Sequence, residues 1–522
     1  MKFFCSLTIA AAWMVNLGFG QTAASTMTGR AAARFLDQAT WGPTPSSIAQ
    51  IQQIGISEWL NQQFALNTSD LPDQPILDSA GKTNTNLAPV QAAFFQNTLT
   101  GQDQLRQRVA FALSQIWIVS ATSGVSSAYA FPPYWRIFRD NAFGNYEDLM
   151  RAVTLSPAMG RYLNMANNNK ANAAKGTAAN ENYARELMQL FTLGLTQLNP
   201  DGSAILDQNK NPIPTYDQTV VTNVAKVLTG WTYPTAPGAT PKNDNPAYYD
   251  GAMFAVEQNH DTTAKTIFNN INLPAGQTAQ QDLLSLLNAL TQNTTMAPFV
   301  SKQLIQHLVT SNPSPQYVER VSSVFTNDGN GVTGNLKAVI TAILTDPEAR
   351  AGDDPNVAAN PNFGHMREPI LFMANLLRGL NATLGASSTI YGRASELGEN
   401  LFYAPSVFSY FSPQYRGAQG LLAPEFQIYS TQTASDRADI VNTILYGALD
   451  KSTTFDLTPF VRQAEEAGPL LNYISSIFLH GAMPAGLEQN FTDAVNAVTT
   501  ATAKAQAGLY VVLTSGDYQI IQ

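Results

Sequence analysis

A chain of 522 residues, 44% of them hydrophobic, can bury a substantial core without disulfides or structural metals. Charged residues make up 13% of the chain, about half of the usual ~25%, so polarity comes mainly from uncharged side chains. The net charge of −9, with no run rich in Lys or Arg, excludes a nucleic acid as the expected partner.

Residues 1–20 have the pattern of a secretory signal peptide. Lys2 gives a positive start, an almost uninterrupted apolar run follows, and Gly18 and Gly20 are small residues suited to cleavage. We therefore expect an exported protein, periplasmic or extracellular, with an uncleaved anchor as the alternative. Cys5 is the only cysteine, so cleavage would leave a mature chain without thiols, which excludes disulfides, thiolate nucleophiles and iron–sulfur clusters.

Helical periodicity alternates with Pro- and Asn-rich loops in the first part of the mature chain. The predicted elements are helices at 30–39, 46–55 and 57–64, a loop at 66–89, two helices within 90–120, and a low-complexity surface loop at 166–179. The last loop has two interpretations. It is either a simple insertion or a mobile lid beside a polar surface.

The stretch from Asn180 to Gly194, NENYARELMQLFTLG, is predicted to form one amphipathic helix. At about 100° per residue, one side is apolar and the other collects acids, amides and a guanidinium. Glu181 and Arg185 are four residues apart, so they are neighbours on the helix surface.

Further loops and helices follow up to the C-terminus. They are loop insertions at 195–215 and 232–259, four consecutive helices between 280 and 344, a helix at 371–380, and an aromatic-dense segment at 401–415.

The predicted fold class is mainly α, because runs of alternating β-branched residues are scarce. We expect a multi-helix, bundle-like body with long Pro/Gly/Asn-rich loops and little or no β structure. The predicted organisation is a helical N-terminal body over 28–350, which carries the loop insertions, and a helical C-terminal region over 351–522.

The polar face of the 180–194 helix is the first candidate site. Glu181, Arg185 and Glu186 are candidate catalytic residues, since two carboxylates beside one guanidinium can be driven to different pKa values and take different roles. Asn182 and Gln189 are candidate ligand-binding residues on the same face. The alternative is a solvated helix surface with weak ion pairs.

His260 and Asp261 form the second candidate catalytic site, with Lys265 as a candidate ligand-binding residue four positions later. An adjacent His and Asp can bind a divalent ion or act as a base with its orienting group. A structural histidine is the alternative. His307 lies in an apolar helix and is interpreted as a packing residue, while His365 and His480 lie beside glycines and are interpreted as loop positions.

Several familiar binding motifs are only partly present in this sequence. The segment 79–83 lacks the first glycine of a phosphate loop, and 328–331 lacks the later acids of a calcium loop. His365 and Glu368 are followed by Pro369, so they cannot form a metal-binding pair on a continuing helix. We predict no metal site and no cofactor.

The tryptophans and the aromatic-dense segment allow two interpretations. Flat apolar faces can stack on sugar rings, which suits an exported protein. Core packing is favoured, because most of these aromatic residues lie within apolar periodic runs. The tryptophans concerned are Trp41, Trp59, Trp117, Trp135 and Trp231.

An ordered set of sequence blocks resembles the bacterial family called domain of unknown function 1800. The blocks are ARFLDQATWGPTPSSIAQIQQIGISEWLNQQF, NENYARELMQLFTLG, YDQTVVTNVAKVLTGW, HDTTAKTIF, PFVSKQLIQHLV and NLFYAPSVFSYFSP. They cover nearly the whole mature chain. The resemblance implies an exported bacterial protein without an established activity, often encoded beside a second export family, number 1501, that is similar to sulfatases and alkaline phosphatases.

Residue by residue, the family's ENYAREL block falls on Glu181 to Glu186 and its HD block on His260 and Asp261. Some members of the family carry histidines in the helix that here reads ALSQIWIVS. This chain has Ser114 and Ile116 at those positions, so the sequence does not predict a histidine-based metal site there.

Three functional hypotheses follow from these patterns. The first is a pocket for a polar or carbohydrate-like ligand, formed by the 181–189 face and His260–Asp261. The second is a non-enzymatic scaffold or partner of a co-encoded secreted protein of family 1501, in which the same polar groups join helices. The third is a hydrolase with paired carboxylates.

Overall fold

The computed structural model describes residues 27–357 and 360–522. The protein is 51% helical, and strands occur within these described ranges only as short antiparallel pairs, which confirms the predicted mainly α fold with little β structure. The predicted signal peptide lies outside the described residues.

The α-helices of the N-terminal part are α1 Gly29–Ala39, α2 Pro45–Ala65, α3 Ala88–Thr100, α4 Gln104–Ile116, α5 Phe131–Asn141, α6 Tyr146–Thr154, α7 Pro157–Tyr162, α8 Asn182–Glu186, α9 Gln218–Val227, α10 Ala279–Thr291, α11 Met296–Leu308, α12 Pro315–Thr326, α13 Leu336–Thr345 and α14 Pro347–Arg350. Those that follow are α15 Pro369–Gly379, α16 Tyr391–Glu396, α17 Thr431–Tyr446, α18 Thr458–Arg462, α19 Ala467–Phe478, α20 Ala485–Asn496 and α21 Ala501–Leu513.

Short strands join segments that are distant in the chain. The pairs are β1 Trp231–Thr232 with β2 Phe254–Ala255, β3 Lys265–Thr266 with β4 Asn272–Leu273, β5 His365–Met366 with β8 Ile520–Ile521, and β6 Ala382–Leu384 with β7 Thr453–Phe455. The β5–β8 pair sets His365 opposite Ile521, so it ties the C-terminus to the segment before α15.

Local signals explain where α2 begins and bends. Thr44 caps its N-terminus by accepting a hydrogen bond from the Ser47 amide, and Pro45 occupies the first helical position. Gly55, with φ of 77°, interrupts the helical geometry inside α2. The break agrees with the two separate helices predicted at 46–55 and 57–64.

The main hydrophobic core runs from α1 to β8 and includes residues from both predicted regions. A small second cluster consists of Ile118, Ala404, Tyr410 and Phe411. The five tryptophans considered for a sugar-stacking surface are at most 3% exposed, so they are core residues. None of the helices in 27–357 and 360–522 combines the length and the apolar character that a bilayer span requires.

A buried ion pair also joins the two regions. Arg367 donates from both terminal nitrogens to the carboxylate of Asp37, at 2.7 and 2.8 Å. His480 Nε2 lies 2.9 Å from the same carboxylate. Burial opposes ionisation of Asp37, but Arg367 and His480 together hold its pKa well below the usual range. Asp37 of α1 is therefore linked to Arg367, which precedes α15, and to His480, which follows α19.

Close helix packing at Gly379 leads to a first testable prediction. A β-carbon on this buried glycine of α15 would overlap the ring of Phe478 in α19. Gly379→Ala should lower the free energy of unfolding by about 1–3 kcal/mol, because the packed helices must move apart. Urea unfolding measures the change.

The control for this prediction is Gly392→Ala in α16. Outside its own helix, no heavy atom of a described residue lies within 4 Å of the added carbon. This variant should be neutral or more stable by up to about 1 kcal/mol, since alanine favours helix. Equal effects of the two substitutions would contradict the packing explanation.

Candidate functional site

Glu181 lies in a half-exposed network between α8 and α9. Its carboxylate accepts hydrogen bonds from Gln218 Nε2 at 2.8 Å, Thr222 Oγ1 at 2.8 Å and an Arg185 guanidinium nitrogen at 3.1 Å. The hydrogen bond from Gln218 is the largest cause of a lowered pKa of Glu181. The side chains of Glu181 and Arg185 are 32% and 41% exposed, so the network fastens two helices at the surface.

Glu186 differs from Glu181 in its surroundings. Burial raises the pKa of Glu186, and the nearby charge of Arg185 opposes this rise only in part. Its buried Oε2 finds no hydrogen-bond partner within the described parts of the chain. The pKa values of the two carboxyl groups beside Arg185 therefore shift in opposite directions, as an acid–base pair would require.

The polar face continues on a different kind of helix than predicted. α8 ends at Glu186, and Leu187–Thr192 forms a π-helical turn. The Thr192 hydroxyl donates to the Leu187 carbonyl at 2.6 Å, which supports the wider turn. The expected single α-helix over 180–194 is therefore wrong. Half-buried Gln189 lies within the π-turn, whereas exposed Asn182 opens α8 and donates to Asn164 Oδ1 at 2.8 Å.

His260 belongs to a fully buried polar triad centred on Asp282. Its Nδ1 is 2.9 Å from the Thr229 carbonyl oxygen, and its Nε2 is 3.0 Å from Asp282 Oδ2. Lys265 Nζ donates to the same Asp282 oxygen at 2.6 Å. The side chains of His260, Lys265 and Asp282 have no exposed surface. This triad joins the end of α9, β3 and α10.

Asp261 does not pair with the imidazole of its neighbour His260. Its Oδ1 accepts hydrogen bonds from the amide and the hydroxyl of Thr263, at 2.9 and 2.5 Å. Burial opposes ionisation, but these hydrogen bonds leave the pKa of Asp261 lowered. Lys265 donates to the Asp261 carbonyl oxygen.

The two predicted candidate sites contact opposite ends of α9. Glu181 binds residues 218 and 222 at its start, while His260 binds Thr229 just beyond its end. Among residues 27–357 and 360–522, no hydrogen bond or ion pair joins Glu181 or Glu186 to His260 or Asp261.

A second buried polar cluster lies between α4, β5 and α15. Gln115 Nε2 donates to Glu368 Oε2 at 2.8 Å, and His365 Nδ1 lies 3.1 Å from Glu425 Oε1. The Ile370 amide donates to Glu399 Oε2 at 2.8 Å. All three glutamates are at most 5% exposed.

Glu368 and Glu399 form a carboxyl pair in this cluster. Burial raises the pKa of Glu368 to about 7, with the charge of Glu425 adding to the rise. Burial, and then the charge of Glu368, raise the pKa of Glu399 well above its ordinary value. Because two close buried carboxylates repel each other, the pair holds at least one proton at neutral pH.

A cavity of about 50 Å³, the Gln115–Glu425 cavity, opens beside this cluster. Its walls come from the end of α4, Leu190 of the π-turn, α11 and residues 407–425. Phe408, one of the lining residues, is 43% exposed, so the cavity reaches the surface beside this ring. A volume of this size accommodates roughly three or four groups as large as a water molecule.

Four residues that line the cavity each carry a buried polar atom without a hydrogen-bond partner in the described structure. These atoms are Gln115 Oε1, Gln303 Nε2, Ser409 Oγ and Glu425 Oε2. Two are acceptors, one is a donor, and the hydroxyl can be either. Buried polar atoms in native proteins usually have partners, so these four make the cavity a candidate site.

Sequence reasoning missed this cavity and the role of Asp282. Asp282 is an acid in the first turn of α10, and its place beside Leu283, Leu286 and Leu287 on the apolar face was the available signal. His365 and Glu368 were set aside because Pro369 interrupts a helix. His365 is in fact in β5, and Glu368 immediately precedes α15, so strand, loop and helix bring both to one cluster. His307, interpreted as a packing residue, lines the cavity, and burial lowers its pKa to about 3.

In the described ranges, no group of three or more His, Cys, Asp or Glu side chains has an arrangement that could hold a metal ion.

Comparison with known proteins places the chain in a family. Searches of curated proteins and of solved structures give no match. The family described as "Protein of unknown function (DUF1800)" matches residues 34–520, nearly the whole chain, and includes the candidate residues discussed above. The chain belongs to the DUF1800 family.

Proposed function

We propose that this protein binds a carbohydrate-like ligand whose hydroxyl groups enter the Gln115–Glu425 cavity. One observation carries the proposal: four residues that line one small cavity each carry an unpartnered buried polar atom. A hydroxyl group both donates and accepts, so it can satisfy Gln303 Nε2 with its oxygen and Glu425 Oε2 with its hydrogen. The predicted signal peptide supports an encounter outside the cytoplasm.

Apolar surface beside the polar atoms supports the same ligand class. Phe408, Phe411, Pro413 and Pro424 contribute to the cavity walls. Sugars combine hydroxyl edges with apolar ring faces, which aromatic side chains can cover. The volume admits only part of a sugar ring, so the remainder would lie at the mouth, against the exposed ring of Phe408.

This location differs from the pocket predicted between the 181–189 face and His260–Asp261. We favour the cavity because four of its lining residues each carry an unpartnered buried polar atom, whereas in the His260 triad Asp282 Oδ1 is the one such atom among the described residues. A buried group that is already paired gains little from a ligand.

Glu425→Gln tests the proposal. It removes the charge of a cavity carboxylate and keeps its shape, so affinity for a hydroxylated ligand should fall about 10- to 100-fold. Titration calorimetry against monosaccharides, polyols and short oligosaccharides measures the change. Phe408→Ala should also weaken binding, and because this ring is exposed the variant should fold normally.

The control for this experiment is Glu488→Gln, an exposed position with the same change in charge. It should bind like the wild type. The proposal is overturned if no compound in the panel binds, or if Glu425→Gln and Phe408→Ala both bind as tightly as the control.

Hydrolysis is the second candidate function. It is favoured by the presence of Glu425 on the cavity wall and of Glu368, whose pKa is about 7, immediately behind Gln115. A carboxyl group that is half protonated at neutral pH can serve as a general acid, and a second carboxylate as base or nucleophile. Release of reducing ends from any bound oligosaccharide would separate turnover from binding alone.

A further inference from the structure

The two carboxylate oxygens of Glu425 have different surroundings. Oε1 lies 3.1 Å from Nδ1 of His365, and both side chains are at most 6% exposed. Oε2 is buried and has no hydrogen-bond partner within the described parts of the chain. Glu425 lines the Gln115–Glu425 cavity, whereas His365 does not. One oxygen of the carboxylate is therefore held by the protein, and the other is left for a ligand.

The residues just after α11 fasten both chain segments that carry this pair. The Ser311 amide donates to the carbonyl of Gly364, the residue before the histidine, at 3.0 Å. Asn312 Nδ2 donates to the carbonyl of Leu422, three residues before the glutamate, at 2.8 Å. The Leu422 amide donates back to Asn312 Oδ1 at 2.9 Å. Two adjacent residues thus hold the backbone on both sides of the contact.

A strand pair fixes the backbone of His365 further. His365 and Ile521 lie opposite each other in the β5–β8 pair. The Arg367 amide donates to the Gln519 carbonyl at 2.7 Å. A β-carbon on Gly364, whose φ is 102°, would overlap the Ile521 carbonyl oxygen, so the two segments pack as closely as glycine allows. The imidazole is therefore carried by a backbone that is tied on two sides.

The hydrogen bond between the imidazole and the carboxylate depends on the tautomer of His365. A carboxylate only accepts hydrogen bonds, so the imidazole must donate from Nδ1. A neutral imidazole carries one N–H proton, which is then on Nδ1 and leaves Nε2 bare. Nε2 is buried and has no partner among the described residues, so no other contact competes for the orientation of the ring.

We propose that His365 is a positioning residue of the ligand site: its Nδ1–H holds Oε1 of Glu425, so that Oε2 is presented to a ligand hydroxyl in the cavity. The inference rests on the proposed function, in which Glu425 binds the ligand. Without the imidazole, the carboxylate can turn about its last side-chain bond. A carboxylate that is fixed in advance binds more tightly, because the ligand does not have to order it.

The first experiment needs no ligand. Nitrogen NMR spectra of the full chain, isotopically labelled at histidine, show which ring nitrogens carry protons. The loss of one set of signals in His365→Asn identifies those of His365, and we expect a proton on Nδ1. The signals of His260 and His480, whose rings contact Asp282 and Asp37, should persist in the variant and show that it is folded. An Nδ1 without a proton overturns the positioning role.

The second experiment measures affinity by titration calorimetry, with D-glucose, D-mannitol and cellobiose as probes. His365→Leu removes the donor and should weaken binding about tenfold. His365→Asn keeps an amide donor near the place of Nδ1 and should recover most of this loss. The matched control is Met366→Leu, which changes the next buried residue of β5 and should bind like the wild type.

A double-mutant cycle with Glu425→Gln distinguishes positioning from a general structural effect. If His365 acts through Glu425, His365→Leu should weaken binding less than about twofold once Glu425→Gln is present. Equal losses in both backgrounds, or no loss in the wild-type background, overturn the positioning role and leave the proposed function standing. If no probe binds, the proposed function is overturned, and the NMR result alone decides whether His365 holds Glu425.

Discussion

Replacing Asp282 with asparagine is expected to lower the free energy of unfolding by about 3–5 kcal/mol. Lys265 would keep its charge in a place with no exposed surface, and its remaining partners would be the uncharged carbonyl oxygens of residues 261 and 263. Breaking one side of a buried ion pair is costly, because the other charge stays desolvated. Urea unfolding monitored by circular dichroism measures the loss.

A double variant separates the charge from other effects of the substitution. Asp282→Asn/Lys265→Met removes both charges, and the amide nitrogen of residue 282 can donate to His260 Nε2, because Nδ1 donates to the Thr229 carbonyl. It should recover more than half of the lost stability, because no uncompensated ion remains in the core. Asp250→Asn, an exposed position, is the control and should change stability by less than about 0.5 kcal/mol. If the double variant is less stable than Asp282→Asn alone, the ion-pair explanation is wrong.

The mainly α fold could be predicted because its signals are local. Helical periodicity, the Thr44 cap and the break at Gly55 are readable within a few residues. The π-turn after α8 could not be predicted in this way. The apolar periodicity of residues 187–192 is equally compatible with an α-helix and with a π-turn. The choice between them depends on how these residues pack.

The cavity could not be predicted because its polar atoms come from distant parts of the chain. Gln115, Gln303, Ser409 and Glu425 carry no motif individually, and only the packing of α4, α11 and the aromatic-dense segment brings them together. The polar face at Glu181 and Glu186 was found because four-residue spacing is a local property. Export and an association with a family 1501 protein stay predictions.

Glu368→Gln is expected to gain stability relative to the wild type as the pH rises. Burial moves the pKa of Glu368 from 4.5 to about 7, so between these values the folded protein retains a proton that the unfolded chain releases. In this pH range the folded state binds more protons than the unfolded chain. The contribution of Glu368 to the free energy of unfolding of the wild type therefore declines as the pH rises. At about 1.4 kcal/mol per pH unit, the decline is roughly 3 kcal/mol.

Only the difference between variant and wild type isolates this effect. Burial lowers the pKa of His307 to about 3, so below pH 6.5 the unfolded chain takes up a proton that the folded protein does not. His307 therefore makes stability rise with pH over part of the same range, and the two contributions oppose each other in the wild type. Glutamine at position 368 removes one contribution and leaves the other.

Urea unfolding at intervals from pH 4.5 to pH 8 provides the measurement. The stability of Glu368→Gln minus that of the wild type should increase across this range by roughly 3 kcal/mol, while the same difference for the exposed Glu488→Gln stays constant. If Glu368 were instead ionised throughout as the counter-ion of buried Arg108, the glutamine variant would be less stable by a constant amount at every pH. If the free energy of unfolding of Glu368→Gln ran parallel to that of the wild type across the pH range, Glu368 would not carry the proton of the Glu368–Glu399 pair. It could then not serve as the general acid in the proposed hydrolysis.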